Sequence, residues 1–163
     1  METSDNVQKS FAMMSMASMR CIVYAEIAEK EGLHQISKFF RAFADAYKIC
    51  ATNALKVLRQ TGATEDNIAN IVDANSYDLT QLYPRFLERA EKEGDSLSAL
   101  FFKGILASSK SHTGLLNEAL ENYNRFRETE YWVCQNCGHI ESGDMPLICR
   151  ICGGSREKFN IIR

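Results

Sequence analysis

"YWVCQNCGHIESGDMPLICRICG", Tyr131 to Gly153, is the stretch that decides how the chain is read. Cys134, Cys137, Cys149 and Cys152 form two C-x-x-C-G knuckles separated by eleven residues. A C-x-x-C turn sets two thiolates on one side of a tight loop, and two such loops facing each other complete a tetrahedron. Gly138 and Gly153 permit the backbone turn that aims N–H groups at sulfur. Tetrathiolate geometry suits both zinc, as a structural ribbon, and iron, as a one-electron carrier. The spacing leaves both open. The 33 residues from Tyr131 to Arg163 are too few to fold on hydrophobic burial alone, so this module is expected to depend on its metal.

Upstream the character is different. Helices are expected from about Asn6 to Glu31, closed by Gly32, and from about His34 to Gln60, ending before Gly62. A short helix near Thr64 to Asp73 leads into a third long one, about Asn75 to Glu93, which Gly94 closes. Pro84 should kink that helix or sit near its start. A fourth opens on Asp95 as N-cap and runs to about Phe126. Long amphipathic helices with short joints predict an antiparallel four-helix bundle over residues 1–126. The polar run "ENYNRFRETE", Glu121 to Glu130, leads into the small metal-binding β/loop domain at 127–163.

Composition narrows the class. The 163 residues are 45% hydrophobic and 25% charged, as in an ordinary globular protein. A net charge of −2 argues against nucleic acid and anionic membranes as partners. No run approaches the ~20 apolar residues of a membrane span. "METSDNVQKSFAMMSMASM" has early acids and no basic n-region, so no secretory signal is read and the cytoplasm is expected, where disulfides are rare. The outlying Cys21 and Cys50 fall on predicted helices. The crowd of Met13, Met14, Met16 and Met19 reads as apolar gap-filling.

Polar residues interrupt the apolar faces. On the second helix the stripe Ile36, Phe39, Phe40, Phe43 faces a core, yet Tyr47 and Cys50 follow on it. Asn75 and Asp78 lie on the stripe Ile71, Leu82, Phe86. Ser109 and His112 lie on the stripe Leu97, Phe101, Ile105, Leu115. Three helices thus each bring a polar pair into an apolar face. The chain's one Glu-x-x-His, Glu31 to His34, spans Gly32 at a helix break and carries no site.

"YWVCQNCGHIESGDMPLICRICG" resembles the rubredoxin-type domain that closes rubrerythrins, with an aromatic lead-in, C-x-x-C-G-[HY] and a proline three residues before the third cysteine. Arg150 stands where that family usually has proline. "AEKEGLHQISKFFRAFADAYKICATNAL" and "YDLTQLYPRFLERAEKEGD" resemble the rubrerythrin bundle, so the similarity covers nearly the whole chain. The resemblance implies a ferritin-like bundle holding two irons, peroxide reduction, and electrons arriving through the rubredoxin-type iron. It also implies a head-to-tail homodimer and a redox partner protein. The seven di-iron ligand positions fall on Met14, Tyr47, Cys50, Asn75, Asp78, Ser109 and His112, of which only Asp78 and His112 could serve as the family uses them. One Asp cannot balance two iron ions. What the polar residues do has two readings. Either Tyr47, Asn75, Ser109 and His112 satisfy one another around Asp78, or Cys50, Asp78 and His112 hold a single zinc or similar ion.

The expectation is an electron-transfer protein with one iron on Cys134, Cys137, Cys149 and Cys152 and a bundle acting as scaffold or docking module. The alternatives are a peroxide-reducing oxidoreductase with an altered metal centre, and a non-redox adaptor with a zinc ribbon.

Overall fold

The computed structural model describes residues 2–163. The chain divides into two compact units, Met1–Gly62 and Ala63–Arg163. The first is a helical hairpin of α1 (Glu2–Lys30) and α2 (His34–Val57). Gly32 makes the turn at φ 78°, and the Leu33 N–H donates to the Ala28 carbonyl at 2.8 Å. That left-handed glycine satisfies carbonyls which the end of α1 would otherwise leave bare. The seam between the helices is made of small residues: Ala25, Ala28, Ala44, Ala51 and Ala54 are buried. Side chains this small let two helices approach closely. The Ser18 hydroxyl donates to the Ala44 carbonyl at 2.9 Å across the same seam.

The aromatic stripe of α2 lies elsewhere. Phe39 and Phe43 stack with ring centroids 4.6 Å apart, but both remain about half exposed, as does Ile36. The sequence predicts that this stripe faces a core; in this unit alanine takes that place, Phe40 packs edge-on against Tyr24 of α1, and Ile36, Phe39 and Phe43 stay uncovered. By length and composition alone α1 could cross a membrane, against the expectation of no such apolar run. It is packed along α2 on one face.

The second unit opens with α3 (Thr64–Tyr77), a π-helical turn (Asp78–Leu82) and α4 (Tyr83–Lys92), followed by the long α5 (Ser96–Asn122). The helix break expected near Asp73 is absent. Pro84, in the first turn of α4, has no N–H to give the carbonyl four residues back, and the ladder slips to a wider step. The Tyr83 N–H reaches back five residues to the Asp78 carbonyl. Asp95 caps α5 as expected, accepting from the Ser98 N–H at 3.0 Å. These bonds from Ser98 hold the Asp95 carboxyl below its usual range.

After a short 3₁₀ turn come β1 (Tyr131–Cys134), β2 (Ile140–Ser142) and β3 (Phe159–Ile162), an antiparallel sheet in the order β2-β1-β3. Cys134, Cys149 and Phe159 form its core, with Trp132, Met145 and Ile151 against them. The Trp132 indole N–H donates to the Gly143 carbonyl at 3.0 Å, so this aromatic is packing.

The end of α2 carries a local strain. Arg59, not Gly62, takes the left-handed position at φ 55°, with the Gln60 N–H bonded to the Leu55 carbonyl. Arg59→Gly is expected to stabilise the hairpin by up to about 1 kcal/mol, because glycine adopts that conformation without a Cβ clash. Urea unfolding of the two proteins checks this; a lower midpoint for the glycine variant would contradict it.

Candidate metal centre

Each knuckle is built the same way. In the first, the Cys134 N–H donates to the His139 carbonyl at 2.9 Å and the Gly138 N–H to the Cys134 carbonyl at 2.8 Å. In the second, the Cys149 N–H donates to the Gly154 carbonyl at 2.7 Å and the Gly153 N–H to the Cys149 carbonyl at 2.8 Å. Gly138 and Gly153 sit at φ 73° and 71°, a backbone conformation that residues with a side chain rarely adopt. The repeat in sequence is thus a repeat in hydrogen bonding, and it points four sulfurs at one spot.

Those four sulfurs lie within 4.8 Å of one another. Cys134 and Cys152 are 3.7 Å apart at sulfur, Cys137 and Cys149 3.6 Å. Metal–sulfur bonds of about 2.3 Å would put tetrahedral sulfurs about 3.8 Å apart. A disulfide needs about 2.05 Å, so the thiols are free and spaced for a metal. The donor set fits a tetrathiolate ion.

Electrostatics points the same way. Burial pushes the Cys137 thiol up to about 12, although the His139 N–H aimed at its sulfur opposes this. Burial is the largest influence on Cys149 too, but the N–H groups of Cys152 and Ile151 and the neighbouring Cys137 and Cys152 thiols together hold that thiol below its ordinary value. Gathering four thiolates here therefore requires a cation.

Around the first knuckle lies a polar network that the motif alone does not disclose. The Ser108 hydroxyl donates to the Cys137 carbonyl at 2.8 Å. His112 Nε2 lies 3.1 Å from the Gly138 carbonyl, and Ser111 Oγ 2.8 Å from His139 Nδ1. His139 is fully buried, with Nε2 2.8 Å from Glu141. Arg150 Nε lies 3.1 Å from the same nitrogen, and the guanidinium pairs with Glu141 at 3.3 Å. In the sequence this network shows only as His112 on its apolar stripe, the histidine after C-x-x-C-G and the arginine in place of proline.

The bundle positions divide between the units. Met14, Tyr47 and Cys50 belong to the first, where Tyr47 stands 6.0 Å from Phe43 ring to ring and Cys50 is exposed. In the second unit Asn75, Asp78 and His112 line one cavity of about 610 Å³ together with Tyr131 and Ile140. The Asn75 amide donates to Thr113 Oγ1 at 3.1 Å, and Thr113 donates to the Ser109 carbonyl at 3.2 Å. Nothing in the sequence pattern marks Thr113 for this role. His112 turns to the small domain instead of joining this chain, and burial lowers its basicity.

A family model described as "Rubrerythrin" matches residues 5–120, and one described as "Rubrerythrin, rubredoxin-like domain" matches 132–160. The chain belongs to the rubrerythrin family. It is 30% identical to rubrerythrin of Clostridium perfringens over 99% of this chain and 95% of that one. Rubrerythrin-1 of Clostridium acetobutylicum is 29% identical over 99% and 94%. Among solved structures, partially reduced nigerythrin superposes with a TM-score of 0.61 at 20% identity, covering 98% of this chain and 86% of that one. The fold is therefore the mainly helical, ferritin-like one with a rubredoxin-like domain at its end.

Cys137→Ser should abolish stoichiometric metal binding and unfold the small domain while the helical signal persists, because a domain of this size folds on its ligands. Metal analysis and far-UV circular dichroism check it; unchanged metal content would contradict it.

Proposed function

We propose that this rubrerythrin-family protein is a one-electron carrier with a single iron on Cys134, Cys137, Cys149 and Cys152, its bundle serving as scaffold. The carrying observation is the contrast between the two candidate centres. Four cysteine sulfurs converge at metal spacing. In the bundle, Met14, Tyr47, Cys50, Asn75 and Ser109 stand at five of the seven positions the resemblance assigns to iron ligands.

Bound iron supplies a reversible one-electron change there; zinc would supply geometry alone. The chain's own groups do the rest. N–H donors from His139, Ile151 and Cys152 moderate the charge on sulfur. Trp132, Phe159, Met145 and Ile151 keep water from the buried side. Cys152 is exposed while Cys134 and Cys149 are buried, so the Cys152 edge is the face offered to a redox partner. The uncovered stripe of Ile36, Phe39 and Phe43 suits a homodimer, since exposed apolar patches of this kind mark interfaces. The cytoplasm is the compartment in which such thiols stay reduced.

A second reading, peroxide reduction at an altered bundle centre, draws on Asp78 and His112 lining one cavity. Protein purified with its metals retained separates the two. One iron per chain, a ferric tetrathiolate colour and no peroxide turnover are expected. Three irons with turnover would overturn the carrier reading, and a colourless zinc protein would leave the adaptor. Restoring Met14→Glu, Tyr47→Glu, Cys50→His, Asn75→Glu and Ser109→Glu together should raise the count from one iron to three; a count that stays at one would contradict the assignment of those positions.

A further inference from the structure

We propose that His112 is a positioning residue for the metal centre, acting on the sulfur of Cys137 through a single peptide unit. The carbonyl of Gly138 can only accept, so His112 Nε2, 3.1 Å away, carries the proton and donates to it. The same peptide unit bears the His139 N–H, which is hydrogen-bonded to the Cys137 sulfur. In a trans peptide these two groups point in opposite directions. Donation into the carbonyl polarises the N–H and strengthens its bond to sulfur, as in any chain of hydrogen bonds. His112 therefore draws negative charge off a metal ligand without touching it.

The neighbouring peptide repeats the arrangement. Ser108 donates to the Cys137 carbonyl at 2.8 Å, and the N–H of that unit, on Gly138, closes the knuckle onto the Cys134 carbonyl. Ser111 meets His139 one residue further on. Residues 108, 111 and 112 share one face of α5, and they engage the successive residues 137, 138 and 139. Among the described residues the second knuckle, Cys149 to Gly154, has no counterpart from α5. The histidine that the resemblance gives to iron ligation in the bundle has here a different partner, the backbone of the other centre.

The proposal rests on the four-cysteine site holding a metal, and cobalt tests it whichever metal is native. The full-length protein is loaded with Co(II) and, separately, with iron. In His112→Phe the thiolate-to-cobalt charge-transfer bands should move to longer wavelength, because the sulfur holds more charge. At fixed potential the ratio of reduced to oxidised iron should fall about 3- to 10-fold, or about 28–59 mV for one electron. His112→Gln, which can still donate, should recover most of both changes. Bands and potential at wild-type values in a folded His112→Phe would overturn the proposal. If that variant loses its small domain, His112→Asn, too short to span the gap, decides by the same two readouts. Failure of the wild-type protein to bind cobalt would instead overturn the metal-centre reading itself.

Discussion

Four sulfurs held 3.6–3.7 Å apart across two pairs cannot all be thiolates unless something positive lies among them. That constraint organises the small domain. Its sheet has only three short strands, and two of its three buried core residues are ligands themselves, Cys134 and Cys149. Hydrophobic burial of this extent cannot offset the entropy of ordering the segment, so the metal's binding energy is the folding energy. The hydrogen bonds around it follow from the same need: every N–H that turns toward sulfur takes up part of a charge that water would otherwise solvate.

The contacts from α5 extend that logic into the helical part. Ser108, Ser111 and His112 attach the first knuckle to a rigid helix, so the centre does not swing on a free linker within this unit. The second knuckle is tied to the first by Arg150 reaching His139 and Glu141, while Cys152 stays exposed. One side of the centre is fixed and polarised by protein; the other is open to solvent. The one-electron carrier proposed above would need both properties.

The metal centre was legible in sequence because its geometry is local: C-x-x-C-G fixes two ligands by one turn, and the turn does not depend on the rest of the chain. The N-cap at Asp95 and the turn at Gly32 were legible for the same reason. The helix through Asp73 was not, since the polar run from Asp73 to Tyr77 interrupts the apolar pattern although the backbone stays helical to Tyr77. Nor could periodicity tell which of two faces of α2 packs: alanines and phenylalanines both recur at helical spacing, and the seam took the smaller ones. The destination of His112 was hidden because its partner is a backbone carbonyl 26 residues away, which no pattern of side chains reveals.

X-ray absorption at the metal edge of the protein as isolated tests the central claim most directly. One shell of four sulfurs at about 2.3 Å is expected, without an oxygen or nitrogen shell at about 2.0–2.2 Å. An iron spectrum dominated by oxygen and nitrogen, with a second iron at about 3.5–4 Å, would contradict it and return the chemistry to the bundle.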